Sequence, residues 1–124
     1  MNVIAQVCAL IAAAIHLVVG LLESFFYDRP AVRRFLTLSE DNPPALRLWT
    51  FNVGFYNIFL AAGLIAGLVA AWSGHESVGR ALVIYVSAFM VAGGIMLFVS
   101  DRRLWQGSLG QGLLPLVALV TLLV

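Results

Sequence analysis

Five polar side chains lie in otherwise apolar stretches of the chain, and they are the groups best able to do chemistry: His16, Glu23, Asn52, Tyr56 and Asn57. A histidine near a carboxylate can relay a proton or hold a polar ligand, because imidazole exchanges its proton near neutral pH. Amide and phenol groups add hydrogen bonds that orient such a ligand. We therefore take these five residues as candidates for binding a proton or a small ligand.

The spacing on the first apolar segment places its two ionisable groups together. His16 and Glu23 are seven residues apart with Gly20 between them, which is the spacing of a single stripe on an α-helix. The spacing therefore predicts one polar face on this helix.

A second stripe is predicted on the next apolar segment, where Asn57 lies one step around the helix from a row formed by Trp49, Asn52, Tyr56 and Gly63. Two antiparallel helices that meet the same loop can be compared in depth at about 1.5 Å per residue. This comparison predicts that Glu23 lies near Trp49 and Asn52, and that His16 lies roughly 10 Å deeper, near Tyr56. The five candidates would then form one cluster, with Asp101 and Gln111 toward the same side of the membrane.

Two interpretations of this cluster stay open. Ionisable groups inside membrane spans are costly and often mark ion, proton or substrate paths. The same groups can instead hydrogen-bond one helix to another and serve only packing.

Composition assigns the chain to the membrane proteins. Of its 124 residues 62% are hydrophobic and 10% charged, and the mean hydropathy is +1.01. Soluble domains are roughly 45–50% apolar and about 25% charged. A net charge of +1, with the arginines spread over several loops, argues against nucleic-acid binding. The single cysteine, Cys8, excludes an internal disulfide and a dithiol redox pair.

Four apolar segments have the length needed to cross a bilayer, at about residues 2–23, 45–72, 80–99 and 107–124. We therefore predict an all-α fold, an integral membrane four-helix bundle that forms a single domain over residues 1–124. The first loop carries Pro30 and an apolar set of Val32, Phe35 and Leu36, with Arg33 and Arg34 on another face. That pattern predicts a short amphipathic helix lying in the membrane interface.

The arginines predict an orientation. Four spans put the first and third loops on one side of the membrane. These two loops and their flanks carry six arginines, which are Arg29, Arg33, Arg34, Arg47, Arg102 and Arg103, and only Arg80 lies on the other side. The positive-inside rule therefore predicts that the first and third loops are cytoplasmic and that both termini are outside.

Gly63 and Gly67 form a Gly-x-x-x-Gly pair, a pattern typical of close helix packing. Such a pair serves either packing within the bundle or association with a second copy or another membrane protein.

No enzyme signature is recognisable. The chain has no Gly-x-Ser-x-Gly or His-Glu-x-x-His motif and no phosphate-binding loop, so no catalytic residue is predicted. Zinc needs three or four converging ligands, and only His16 and Glu23 offer themselves. We therefore predict neither a metal nor another cofactor.

The stretch from Asn52 to Leu64, read as Asn-Val-Gly-Phe-Tyr-Asn-Ile-Phe-Leu-Ala-Ala-Gly-Leu, resembles the DUF1304 family of small bacterial membrane proteins. His16, Glu23 and the stretch at residues 35–38 add to the resemblance, which covers nearly the whole chain. One departure is Val53, where many relatives are expected to carry glutamine. The resemblance implies a four-helix topology and a bacterial inner-membrane location, and it implies no substrate or catalytic residue.

Three functional hypotheses follow. The first is binding or transport of a small polar solute or a proton at the cluster of five residues, with His16 titrating and Glu23 as its charge partner. The second is a structural or assembly subunit that packs against a partner membrane protein through Gly63, Gly67 and the arginine-bearing interfacial helix. The third is a small membrane enzyme acting on a lipid or quinone, with Glu23 or His16 as base.

Overall fold

The computed structural model describes all residues from Met1 to Val124. It contains no strand, and its α-helices are α1 (Val3–Phe25), α2 (Pro30–Thr37), α3 (Pro44–Trp72), α4 (Glu76–Ser100) and α5 (Trp105–Leu123), with a 3-10 turn at Arg102–Leu104.

Four of these helices, α1, α3, α4 and α5, are long and apolar enough to cross a membrane. Each packs against two neighbours, in the ring order α1, α3, α4, α5 and back to α1. Consecutive long helices run antiparallel. The prediction of an all-α four-helix membrane bundle is thus confirmed, with α2 as a short amphipathic helix outside the ring.

The bundle has two chemically different ends. The arginine end, as we name it, carries α2, the 3-10 turn and every arginine except Arg80. The termini end carries both chain termini and the turn between α3 and α4. There the N-terminal ammonium pairs with Glu76, Trp72 Nε1 donates to Gln6 Oε1 at 2.7 Å, and Arg80 donates to the Leu122 carbonyl.

Helices α1 and α3 meet at backbone distance where Gly20 faces Gly54. A Cβ atom added to Gly20 would lie 2.5 Å from the Gly54 carbonyl oxygen, and one added to Gly54 would lie 2.6 Å from the Gly20 carbonyl oxygen. One turn further on, Ser24 Oγ donates to the Phe51 carbonyl at 2.9 Å. Only glycine allows this approach, because a side chain on either residue would occupy the other helix's backbone.

The other seams use small residues in the same way. Gly63 lies against Val86 of α4, and Gly67 against Val83 and Gly79, so these two glycines pack inside the bundle. Consequently these two glycines do not offer a partner the outer surface that the hypothesis of a structural subunit assigned to them. Between α4 and α5, a Cβ on Gly94 would lie 3.3 Å from Gly112 Cα.

An aromatic row covers the outer side of the α1–α3 seam. Phe25 meets Phe51 and Phe55 edge-on, and Phe55 in turn meets Phe59, with ring centroids 5.2–6.3 Å apart along the row. Aromatic pairs at these distances attract each other beyond simple area burial. The row therefore supports the glycine contact from the lipid side.

The apolar core occupies the half of the bundle next to the termini end. Alanines from α1 allow close packing there against branched and sulfur-containing side chains from the other three helices. The core consists of Ala5, Ala9, Ala12, Ala13, Ala61, Leu64, Leu68, Val83, Val86, Met90 and Leu122.

Two details differ from the predictions. Helix α4 begins at Glu76 and not near residue 80, because Gly74, at φ 89°, turns the chain sharply after α3. In α2, Arg34 is exposed as expected, but Arg33 is buried. Its Nε donates to the Glu40 carbonyl at 2.7 Å and its Nη1 to the Tyr27 carbonyl at 3.0 Å, so Arg33 ties the loop together.

Replacing Gly54 by alanine should destabilise the bundle. The added methyl would overlap Ser24 Oγ and the Gly20 carbonyl, and overpacking of this kind costs about 1–3 kcal/mol. Denaturant unfolding in detergent measures the loss. Gly110→Ala is the matched control, because a Cβ there meets nothing within 4 Å, and it should be at least as stable as the parent protein, since alanine favours a helix over glycine. Equal stability of the two variants would contradict the assigned contact.

Candidate functional site

The central polar contact joins α1 to α3. Asn57 Nδ2 donates to Glu23 Oε2 at 2.7 Å, and both side chains are half-buried. None of the four ion pairs in the chain includes Glu23. The Glu23 carboxyl group thus lies within a membrane-spanning helix with an amide as its hydrogen-bond partner and no cation beside it.

His16 lies two turns from Glu23 toward the termini end and is 3% exposed. Its Nδ1 lies 2.9 Å from the Ala12 carbonyl oxygen, which can only accept, so Nδ1 carries the proton in the neutral ring. Nε2 is then an acceptor, and it is buried without a partner. Buried polar atoms nearly always have a partner, so Nε2 is an unused binding group.

Helix α4 contributes a second buried polar atom without a partner. Ser87 is 0% exposed, and its Oγ makes no hydrogen bond. It lies near the middle of α4, between Val86 and Met90, which both belong to the apolar core.

Helix α5 contributes Gln111. Pro115, Ala118 and Leu122 are buried in α5, and Gln111 is on their stripe, one turn nearer the arginine end. A Cβ on Gly93 of α4 would lie 2.5 Å from Gln111 Nε2. Gln111 therefore lies at the α4–α5 seam on the inner side of the bundle.

Depth can be compared across the helices by counting residues. Gly54 lies nine residues from Gly63 on α3, and Gly94 lies eight residues from Val86 on α4, in both cases toward the arginine end. Because Gly63 and Val86 are in contact, Gly54 and Gly94 lie at a similar depth. Gly54 faces Gly20 on α1, one turn from Glu23, and Gly94 faces Gly112, next to Gln111. We call the half of the bundle next to the arginine end the arginine half. Each of the four long helices therefore directs a polar side chain toward the inside of the bundle, either within this half or next to it. We call this set the polar interior, and it consists of His16, Glu23, Asn57, Ser87 and Gln111.

The predicted contacts of Asn52 and Tyr56 with this stripe are wrong. Asn52 is exposed, and its Nδ2 donates to the Leu48 carbonyl of its own helix at 3.0 Å. Tyr56 is 61% exposed. Trp49 is exposed as well, so Glu23 does not meet this residue either.

The rotation of α3 explains this correction. Gly54 points at α1, and residues two positions away on either side of it are turned by about 200° around the helix. Asn52 and Tyr56 are these residues, so they face outward. Asn57, three positions from Gly54, stays about 60° from the contact and points inward.

Asp101 does not belong to the polar interior. It precedes the 3-10 turn at the arginine end, and its carboxylate accepts from Arg103 Nη2 at 2.6 Å and from the Arg103 backbone amide at 3.0 Å. The side-chain hydrogen bond from Arg103 holds the pKa of Asp101 below its usual range. Asp101 is therefore an ionised partner of Arg103.

Two members of the polar interior, Ser87 and Gln111, are not among the five candidates. The sequence places Gln111 on the same side of the membrane as the five candidates and does not include it in their cluster. Its spacing of four residues from Pro115 nevertheless indicates that the two residues share a helix face. Ser87 gives no signal in the sequence, because a single serine in an apolar helix is common.

The fold and its polar interior define an integral membrane four-helix bundle with an inward-facing carboxyl group. The chain belongs to the DUF1304 family, because the model of that family, described as "Protein of unknown function (DUF1304)", matches residues 10–123. The resemblance found in the sequence is thus confirmed. Comparisons with curated proteins and with solved structures found no match.

Replacing Asn57 by alanine should weaken the α1–α3 contact, because Glu23 loses its amide partner. Interhelical hydrogen bonds in membranes contribute about 0.5–2 kcal/mol, so a loss of that size is expected in the free energy of unfolding. Asn52→Ala removes the same side chain from the same helix, and we expect it to change stability little, because Asn52 bonds only its own helix. Equal losses in both variants would contradict the assignment.

Proposed function

We propose that the chain binds a proton or a small polar solute in its polar interior, with Glu23 as the acidic group and Asn57 as the residue that orients it. The observation that carries the proposal is the half-buried Glu23 carboxyl, which has an amide partner at 2.7 Å and no cation. An ionised carboxylate inside a span is costly without a partner of opposite charge. A bound proton or a small cationic solute would remove that cost.

His16 and Ser87 are the second part of the proposed site. Both are buried, and each has one polar atom without a partner, His16 Nε2 as an acceptor and Ser87 Oγ as a donor and acceptor. A group that enters from the Glu23 side could hydrogen-bond to either atom. Gln111 adds an amide on the opposite seam.

The packing favours binding of a ligand over its transport across the membrane by a single copy of the chain. The half next to the termini end is filled by the apolar core, in which most members are 0–1% exposed. A polar solute that crossed this half would have to lose its hydrogen bonds without compensation. We therefore propose a site that opens toward the arginine end, as a membrane-embedded sensor would need.

Titration of Glu23 tests the proposal. In lipid nanodiscs, infrared difference spectra between low and high pH should contain the C=O stretch of a protonated carboxyl group that is absent in Glu23→Gln. In Asn57→Ala the band should move, because the carboxyl group loses its hydrogen bond. A second titration with Na⁺ alone at fixed pH asks whether a small cation replaces the proton.

Glu40→Gln is the matched control, since Glu40 is an exposed carboxylate paired with Arg34. It should leave the Glu23 band unchanged. Identical spectra of Glu23→Gln and the parent protein under both titrations would refute the proposal.

For orientation, we propose that the arginine end is cytoplasmic and that the membrane is a bacterial inner membrane. The support for the orientation is the distribution of arginines, six of which lie at that end. Both termini would then lie outside.

Labelling with a membrane-impermeant thiol reagent tests this orientation. In a Cys8→Ala background, Ser73→Cys introduces an exposed thiol at the termini end and Asp41→Cys one at the arginine end. In intact spheroplasts we expect labelling in Ser73→Cys only, and in lysed membranes labelling in both. Labelling of Asp41→Cys alone in intact spheroplasts would reverse the assignment.

Association with a second copy or another membrane protein stays a prediction. Gly63 and Gly67 no longer support it, because α4 covers them. An enzymatic role on a lipid or quinone is not favoured by any particular contact of the polar interior.

A further inference from the structure

A second polar site lies at the arginine end, outside the polar interior, where Tyr27 follows α1. The Tyr27 side chain is 0% exposed, and its Oη makes no hydrogen bond. Buried phenol groups normally have a hydrogen-bond partner. The Tyr27 hydroxyl is thus a buried donor that no group of the chain uses.

Arg47 of α3 carries a second unused donor, on a side chain that lies over the Tyr27 ring. Its guanidinium carbon lies 6.0 Å from the centroid of the Tyr27 ring, so the two side chains are in contact. Nε pairs with Asp28 at 3.2 Å, and Nη2 donates to the Ser24 carbonyl at 3.4 Å. Nη1 is buried and has no partner, although an arginine can donate five hydrogen bonds.

The loop that follows Tyr27 is held in place by contacts that do not use these donors. Buried Arg33 donates to the Tyr27 and Glu40 carbonyls, which closes the loop around the end of α1. The segment that carries Tyr27 is therefore ordered, although the donors of Tyr27 and Arg47 have no partner. They belong to a part of the chain that is held in place by its own hydrogen bonds.

The chemistry of the donors indicates the ligand. One hydroxyl and one guanidinium nitrogen offer hydrogens to a ligand beside a positive charge, and a phosphate-type oxyanion provides several acceptor oxygens with negative charge. Asp28 is the acidic group in contact with Arg47, and its side chain is 72% exposed. It can therefore turn toward water and leave Arg47 to an incoming anion.

We propose that Tyr27 and Arg47 form a binding site for a phosphate-type oxyanion, carried by a lipid headgroup or by free phosphate. Both sources reach this end of the bundle. Exposed Trp49 and Trp105 lie near it, as is typical of side chains at headgroup depth, and the surrounding arginines attract anionic lipids. Asp28 acts as the internal competitor for the site.

The experiment has two arms, one for each source. In the first, the delipidated protein in a neutral detergent is titrated with inorganic phosphate, with sodium chloride of equal ionic strength as reference, and the thermal unfolding midpoint is measured. In the second, native mass spectrometry measures retained lipid after reconstitution in phosphatidylcholine with or without phosphatidic acid. Stabilisation by inorganic phosphate identifies a free-anion site, and selective retention of phosphatidic acid identifies a headgroup site.

Three variants test the residues. Tyr27→Phe keeps the ring and removes only the hydroxyl, and Arg47→Gln removes the charge. Each should weaken binding by about tenfold or more, as expected for a lost hydrogen bond to a charged group. Asp28→Asn should strengthen binding, because it removes the competitor's charge. This opposite change cannot result from loss of the fold.

Tyr85→Phe is the matched control for Tyr27→Phe, because its side chain is largely exposed and lies on α4, and it should bind like the parent protein. The proposal is overturned if neither arm detects binding to the parent protein. It is also overturned if Tyr27→Phe and Asp28→Asn both bind like the parent protein in the arm that detects binding.

Discussion

The contact of Gly20 with Gly54 sets the geometry on which the polar groups depend. Because each glycine lies against the other helix's carbonyl oxygen, rotation of α1 or α3 about its axis would bring a neighbouring side chain into the other helix's backbone. The rotation of α3 in turn decides that Asn57 meets Glu23 and that Tyr56 faces outward. The same seam continues through Ser24, whose hydroxyl bonds α3 and whose carbonyl accepts from Arg47. One close contact thus positions the polar interior and the polar groups around Tyr27.

The two halves of the bundle differ in composition, because one is filled by apolar packing and the other contains the polar side chains. Alanines of α1 and branched side chains of the other helices fill the half next to the termini end, and their close packing contributes to holding the helices together. The arginine half holds the inward-facing polar groups and the loop closed by Arg33. Buried polar atoms without partners, such as His16 Nε2 and Tyr27 Oη, are tolerated there because the packed half supplies the stability.

Much of the architecture can be predicted from local properties of the chain. Lengths and hydropathy indicate four spans, and Pro30 with its apolar neighbours indicates α2, because these signals need no knowledge of the neighbouring helices. The site can be predicted only in part. His16, Glu23 and Asn57 do face the interior, whereas Asn52 and Tyr56 do not, because periodicity identifies residues that share a face and leaves open where that face points. Gly54, whose missing side chain marks the true contact, is a better guide to the inner face of α3 than its polar residues are.

The membrane class, the number of helices, the asymmetry of the arginines and the family all follow from the amino-acid sequence, because they depend on composition and on spacing along the chain. The packing of the helices was needed to establish which amide meets Glu23, that Gly63 and Gly67 are covered by α4, and that Tyr27, Arg33 and part of Arg47 are buried. Each of these outcomes depends on how closely two helices, or a loop and a helix, can approach. That distance is set by the backbone and side chains of both partners together, and no local pattern in either one contains it.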